Sequence, residues 1–578
     1  MTKSYFLRDR VISHRSVDMA VDVSVRIWYN IFRKDIPEVT MSTSDSTKKT
    51  KEKKPRKRRG LTLLKKGHKG LVYALFSRFG IVVLLLLVQI TIFVLMYNIF
   101  KEYIPHFYIF STAFTVAMVL YLINSRMNPS SKITWLVIIM IMPVFGSLLL
   151  WYIQSDIGHR ALKKRADQLL DDTMGMIPQD PEVMKRFSEE APGPASTAVF
   201  MQRSGCRPVF SGTDAVYFPS GEAKFEELLE QLQKAEHFIF LEYFIIDEGV
   251  MWGQILEILA QKAKLGVDVR VMYDGTCEFS RLPHSYPKKL EYFGIKCKVF
   301  APLSPFVSTH YNYRDHRKIL VIDGKAAFTG GVNFADEYIN EIRRFGYWKD
   351  TAIMLKGEAV RSFTLMFLQM WGMTEKQPEL EYEKFLTYPA EPDPLADGFV
   401  LPYGDCPLNG EKLGERMYMD ILNRAVKYVH IMTPYLILDG EMETALKFAA
   451  ERGVDVRIIL PGIPDKKIAY SLAKTHYRSL IESGVKIYEY TPGFVHAKVF
   501  VADDREAVVG SINLDYRSFY HHFECAAYMY GTSCIPDIRE DFLVTQRECR
   551  EVTPETIRHE NLLMKLTGFV MKAVAPLM

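Results

Sequence analysis

The chain has 578 residues, enough for three or four domain-sized units, and with 48% apolar and 24% charged residues it is neither disordered throughout nor collagen-like. Its 73 Lys+Arg against 68 Asp+Glu give a net charge of +5, but residues 48–69 alone carry twelve Lys/Arg and one acid, so the remainder is acidic and a general basic coat for nucleic acid is excluded. The seven cysteines are odd in number, widely spaced and without a C-x-x-C, which argues against a disulfide framework or a zinc knuckle.

Residues 1–78 form a basic tail. Its 41–60 segment reads as disordered, and Met41 is a candidate start. The basic tract abuts an apolar stretch, so it suits anionic headgroups, or a positive-inside anchor and nothing more, better than nucleic acid. Three apolar stretches follow: 80–100, 107–123 with 104–106 as an extension, and 133–153 with Pro143 and Gly146 inside it. About 20 apolar residues cross the hydrocarbon core as a helix, which predicts an α-helical transmembrane region with spans at 79–100, 104–123 and 133–153. A cleavable signal peptide does not fit a first apolar run that starts near residue 80. The expected location is therefore the cell membrane, multi-pass. Three full crossings from a cytoplasmic N-terminus would leave the rest of the chain outside. His159, Arg160, Lys163, Lys164 and Arg165, together with unpaired cysteines, argue for inside. Either one stretch is re-entrant or the charge rule fails here; a cytoplasmic catalytic face is the favoured expectation.

After a linker at 154–204 the chain alternates helices with short β-rich runs and repeats once at an offset of about 190, giving an α/β pair of halves at 205–390 and 391–578. Gly221-Glu222 leads to the strand Phe238–Asp247, and Gly410-Glu411 leads to Tyr428–Asp439. Each is followed by an amphipathic helix and the same pentapeptide, Gly266–Arg270 and Gly453–Arg457. Two copies imply a pseudo-twofold pair rather than a solenoid.

Both copies carry H-x-K-x4-D-x6-G-[GS]-x-N: His316, Lys318, Asp323, Gly330-Gly331 and Asn333 in the first, His496, Lys498, Asp503, Gly510-Ser511 and Asn513 in the second. A bare H-x-K-x4-D arises by chance in roughly one chain in twenty-five of this length, but two copies with matched Gly and Asn fall below about one in a million. In His-x-Lys the two cationic side chains share one face of a strand. The Gly-Gly and Gly-Ser pairs end a second strand where backbone approaches a ligand closely, with Asn333 and Asn513 placed to donate beside Gly331 and Ser511. Two halves face to face offer two His, two Lys and two Asn, which suits a phosphodiester. Asp323 and Asp503 lie about 17 Å along a strand from their Lys at ~3.3 Å per residue, too far for the phosphate, and read as structural although they belong to the motif.

The doubled motif resembles the phospholipase D superfamily. The stretches 312–339, 433–465 and 484–519, and the apolar hairpin ending in NPSSKITWLVIIMIMPVFGSLLLWYI (128–153), are similar to bacterial cardiolipin synthases over about residues 105–578. The resemblance implies two phospholipase D-type α/β sandwich domains. It also implies transfer of a phosphatidyl group between two phosphatidylglycerols, giving cardiolipin and glycerol. One motif histidine attacks phosphorus and the other carries the proton, with a weak tilt to His316 as nucleophile. Lys318 and Lys498 neutralise the equatorial oxygens, no paired carboxylates are spaced for metals and no P-loop is present, so neither metal nor cofactor is expected. The expected partners are phosphatidylglycerol and anionic membrane lipid, with no nucleic acid and no inferable protein partner. Within the enzymes, hydrolysis or a different acceptor alcohol is the nearest alternative. A nuclease would need a basic channel at the site, and a non-enzymatic lipid-binding scaffold would predict a decayed motif.

An attacking or proton-carrying histidine needs an acceptor on its second ring nitrogen. After each Asn the copies converge on a strand with a carboxylate and, seven residues on, a Gly. Asp350 is therefore expected on His316 and Glu524 on His496. His237, His284, His430 and His559 read as surface or core residues, while His521-His522, next to Arg517-Ser518, draw more suspicion. The C-terminal run Leu562–Val574 has helical spacing and reads equally as core packing or as an interfacial helix.

Overall fold

The computed structural model describes residues 87–91, 94–95 and 104–577, apart from 126, 155–156, 206, 303–312, 376–380 and 389–392. The basic tail and most of the first expected span lie outside the described residues. The second apolar stretch is one helix, α1 (Ile104–Asn124). The third is two helices, α2 (Pro129–Ile141) and α3 (Pro143–Gln154), rather than one span of 133–153. Pro143 has no N–H to continue the ladder, so α2 ends at Met142 and the chain turns back. Gly146 packs so closely on α2 that an added Cβ would lie 3.0 Å from Ile139 Cα, and Trp135, Ile139, Leu150 and Leu122 share one buried cluster. The freed Phe145 N–H donates to Gln89 Oε1 (3.1 Å). At about 1.5 Å per residue each half of this hairpin reaches roughly 20 Å, short of a core of about 30 Å. Among the described residues no helix is both long and apolar enough to cross a membrane.

The expected linker is helical and packed. Ile157–Thr173, Pro181–Glu190 and Pro192–Arg203 are helices, and the last two seat Phe187, Ala198 and Met201 on the second half, with Phe187 4.7 Å from Phe399.

The first half contributes β1 (Asp214–Phe218), β2 (Phe238–Tyr243), β3 (Asp268–Asp274), β4 (Lys296–Phe300), β5 (Arg314–Asp315), β6 (Lys318–Ile322), β7 (Ala326–Gly330), β8 (Tyr347–Lys349) and β9 (Ala352–Lys356). The second contributes β10 (Phe399–Asp405), β11 (Tyr428–Met432), β12 (Leu436–Ile437), β13 (Asp455–Pro461), β14 (Lys486–Tyr490), β15 (Gly493–Val495), β16 (Val499–Ala502), β17 (Glu506–Gly510), β18 (Leu514–Asp515), β19 (His522–Tyr530) and β20 (Cys549–Glu551). The first sheet runs β1-β9-β7-β6-β2-β3-β4 and the second β10-β19-β17-β16-β11-β13-β14-β20, the same order with one strand added at the edge. In both, the three strands on the β4 or β14 side are parallel and their neighbours antiparallel, so the internal repeat is a repeat of topology.

Alternation along each strand divides three cores. Ile319 and Val321 of β6 point into a core shared with Val499 and Val501 of β16 and with Phe363, Phe367, Ile538 and Phe542 from two helices. Leu320 and Ile322 face the helices of the first half, and Phe500 faces those of the second. The two sheets therefore meet across a common apolar layer, each covered by its own helices outside.

Asp323 and Asp503 are the corner clamps of this arrangement. Each holds a left-handed turn, at φ 52° and 54°. The Asp323 carboxylate accepts the N–H groups of Glu236, His237 and Phe238 at 2.7–2.8 Å. Asp503 accepts those of Val426, Lys427 and Tyr428 at 2.7–2.9 Å. They tie the hairpin after each motif strand to the start of β2 and β11. Asp323→Ala should cost about 3 kcal/mol of stability through three stranded donors and an unfavourable φ, and Asp323→Asn clearly less. Thermal unfolding in detergent checks the order; equal losses for both variants would count against the clamp.

Candidate active site

Each motif histidine lies in a short gap between two strands, not along one strand as its spacing suggests. The strand before the gap pairs with the opposite half. β5, just ahead of His316, pairs in parallel with the start of β19, His522 opposite Arg314 and Phe523 opposite Asp315. β15, just ahead of His496, pairs in parallel with β8, Phe494 opposite Trp348 and Val495 opposite Lys349. The ladder continues through the histidines themselves: His316 N–H donates to Phe523 O (3.0 Å) and His496 N–H to Lys349 O (2.7 Å). The next residue on each partner strand is the carboxylate.

The pairing is therefore crossed. His316 Nδ1 meets Glu524 Oε1 and Oε2 at 2.9 and 3.0 Å, and His496 Nδ1 meets Asp350 Oδ2 at 2.7 Å. The expected partners, Asp350 for His316 and Glu524 for His496, are exchanged, because the strands that carry the carboxylates pair between halves. Both carboxylates are fully buried, and both histidines are under a tenth exposed.

Lys318 opens β6 and Lys498 stands just before β16, and each ammonium bonds the backbone carbonyl of its own motif histidine. Lys498 Nζ also lies 2.9 Å from His496 Nδ1. Gly331 and Ser511 do their work on the carboxylates. A Cβ at Gly331 would lie 2.0 Å from Asp350 Oδ1, so glycine leaves room for the short acid, whereas Ser511 donates its hydroxyl to the longer Glu524. Gly331 with Asp350 and Ser511 with Glu524 are two solutions to one spacing problem.

Asn333 does not present its amide as the expected phosphate donor. Its Oδ1 accepts the Ile245 N–H (3.0 Å) and its Nδ2 donates to Tyr338 Oη (2.8 Å), whose ring packs 5.5 Å from His496. Asn513 donates its backbone N–H to Ser518 Oγ (3.1 Å), and its Oδ1 is buried without a hydrogen bond. Ser518 in turn donates to Glu524 (2.8 Å).

One participant has no motif signal. His522 is buried beside His316, ring centroids 5.1 Å apart, with Nδ1 3.5 Å from Glu524 Oε1. Arg517 Nε–H donates into His522 Nε2 (3.1 Å), which puts the proton of the neutral ring on Nδ1, toward the carboxylate. The suspicion attached to the His521-His522 pair was its one trace in the sequence. His430 is a core histidine stacked 4.4 Å from Phe542, and His237, His284 and His559 are exposed.

Burial sets the electrostatics. It depresses His316 well below the ordinary imidazole range, with Lys318 adding to the effect. It pulls His496 down to about 4, Lys498 working with it and Asp350 against it. Burial also lowers Lys318 to about 8 and Lys498 to about 7. It works to raise Asp350, but His496 and Lys498 outweigh it and hold that carboxyl low. Glu524 is lifted well above its ordinary value despite Lys318 and the two serine hydroxyls. The halves are thus alike in geometry and unlike in charge. For a cation, His316, His522 and Glu524 bring donor atoms within 4.8 Å of one another, but two of them are already committed to each other and Lys318 adds positive charge nearby.

The family described as "Cardiolipin synthase, PLD-like domain" matches residues 228–371 and 418–544, one match per half. An uncharacterized protein of Streptococcus mutans serotype c is 57% identical over 80% of this chain and its own full length. A cardiolipin synthase of Alkalihalophilus pseudofirmus is 32% identical over 81% of this chain and 93% of its own. A solved phosphatidylserine synthase of Haemophilus influenzae Rd KW20 aligns at a TM-score of 0.49 and 15% identity over 63% of this chain and 95% of its own.

Gly331→Ser should displace Asp350 from His496 and lower kcat on the order of a hundredfold, with the fold kept. Combined with Asp350→Glu, which copies the other half, it should recover at least tenfold. No recovery in the double variant would break the link between the two positions.

Proposed function

The chain belongs to the cardiolipin synthase family of the phospholipase D superfamily, and we propose that its two halves transfer a phosphatidyl group from one phosphatidylglycerol to another, releasing glycerol. The observation that carries this reading is the buried pair of imidazoles, each backed by a carboxylate from the other half and flanked by a lysine. His316 Nε2 attacks phosphorus while its Nδ1–H is held by Glu524, giving a phosphatidyl-histidine. His496 gives a proton to the departing glycerol oxygen and then takes one from the hydroxyl of the second phosphatidylglycerol, which displaces His316 and yields cardiolipin. Lys318 and Lys498 offset the charge on the non-bridging oxygens. The difference in charge between the halves supports the assignment. His496 rests on the carboxylate held low and so is the better proton carrier, while His316, whose partner is lifted, stays neutral for attack. Exchange of one phosphodiester for another needs no nucleotide.

The proposed setting is the membrane. With α2 and α3 as a hairpin that enters and leaves on one side, the third apolar stretch adds no crossing. The basic flank at 159–165 then puts the catalytic halves on the cytoplasmic side. This supports the re-entrant alternative.

Purified full-length protein given phosphatidylglycerol should yield cardiolipin and glycerol in equal amounts. Phosphatidic acid as the main product would make it a hydrolase instead. After a rapid quench in alkaline detergent, which preserves the P–N bond, phosphatidyl label should persist on His496→Ala and vanish from His316→Ala, and the opposite pattern would exchange the two roles. Asp350→Asn should keep the fold and slow turnover on the order of 10³-fold, since only the charge behind the His496 imidazole is lost.

In the free site His316 and His496 are neutral at pH 7 and Lys498 titrates near it. An arriving phosphodiester anion raises all these pKa values, so binding should take protons up. With a non-reactive phosphonate analogue of dihexanoyl phosphatidylglycerol, calorimetry at pH 7 in buffers of different ionisation heat should show uptake of about one proton. Release, or no exchange, would contradict the neutral free site.

A further inference from the structure

The C-terminal helix Leu562–Val574 presents an apolar stripe to the outside. Leu562, Leu563, Leu566, Phe569 and Val570 are each 56–80% exposed, and at 100° per residue they fall within about 120° of arc. The opposite side is packed. Gly568 lies so close to helix Lys467–Glu482 that a Cβ would be 2.3 Å from Ser471 O, and Ala575 just beyond the helix is buried with Leu472 and Tyr516. Lys565 and Lys572 stand at the flank between the two faces.

This stripe continues a second apolar surface. Thr134 Oγ1 of α2 donates to Ala573 O (2.8 Å), so the helix is bonded to the hairpin, where Ile133, Val137, Met140 and Ile141 are also exposed. A stripe of large apolar side chains bordered by lysines and joined to a hairpin whose one charge, Lys132, stands near its start matches a bilayer interface, apolar below and anionic above.

We propose that Leu562–Val574 lies in the plane of the bilayer interface as a second lipid-seated element beside the hairpin, and so fixes the tilt of the catalytic halves over the lipid surface. The inference rests on the membrane setting proposed above. A hairpin alone is one pivot; a helix lying flat beside it supplies the second contact that stops the halves from rocking.

The test uses the full chain reconstituted in phosphatidylcholine–phosphatidylglycerol vesicles. Phe569→Trp should show tryptophan quenching by brominated acyl chains in excess of the wild-type background. Leu562→Glu/Leu566→Glu/Phe569→Glu should keep its thermal unfolding and its turnover of soluble dihexanoyl phosphatidylglycerol, yet lose at least tenfold of its turnover of vesicle phosphatidylglycerol. No excess quenching, or vesicle turnover unchanged in the triple variant, overturns the inference. Loss of a concentration-dependent dimer on substitution would overturn it too, by assigning the stripe to a second copy. Carbonate washing separates the premise from the inference: wild-type protein that leaves the vesicles refutes the membrane setting, whereas retained protein without excess quenching refutes only the role of this helix.

Discussion

Everything at the site depends on two short parallel ladders exchanged between the halves. β5 on β19 and β15 on β8 together align few residues, yet each ladder ends by fixing a motif histidine's N–H on the carbonyl just before its carboxylate. The backbone sets the imidazole against its acceptor before any side chain chooses a rotamer. The corner clamps at Asp323 and Asp503 fix β6 and β16 to their own sheets, and the shared apolar layer fixes the sheets to each other, so the ladders are held at both ends. Each half supplies a histidine that the other half orients, and neither half holds a complete site.

The near-symmetry of the backbone makes the departures from symmetry informative. Asp with Gly on one side and Glu with Ser on the other keep both imidazoles at hydrogen-bond distance while giving their carboxylates different surroundings. His522 and Arg517 add to one side alone. A twofold site with equivalent histidines would have no reason to prefer one as nucleophile. Here four basic side chains, two imidazoles and two ammoniums, crowd a space whose burial lowers all their pKa values, so the free site is prepared for an anion and for the proton that comes with it.

Much of this was legible in the sequence, and what escaped it has one physical origin. The repeat, the strands and the motif are short-range patterns, set by alternation and spacing, and the common strand order follows from them. The carboxylates themselves were found because each stands at a fixed place in the repeat. Their partners were assigned to the wrong histidines because nearness along the chain favours the same half, and a pairing between halves leaves no periodicity to read. Asn333 was expected to face the phosphate, but its tie to Tyr338 and the Ile245 N–H depends on how a loop closes. The 133–153 stretch is apolar enough for a span, and the break lay in plain view at Pro143 and Gly146. Composition measures how much apolar surface there is, not where it folds back.

The exchanged ladders also order events in time. His316 meets its carboxylate 208 residues further on, and His496 meets one 146 residues before it. A chain made at roughly 5–20 residues per second exposes His316 some tens of seconds or less before Glu524 exists to hold it. Closing loops of this length costs entropy that only the finished sheets repay, so the ladders form late. Throughout synthesis the nascent enzyme carries an imidazole that nothing yet orients. Activity appears only when the last strands have docked, and an incomplete or misfolded chain stays inert toward phospholipid.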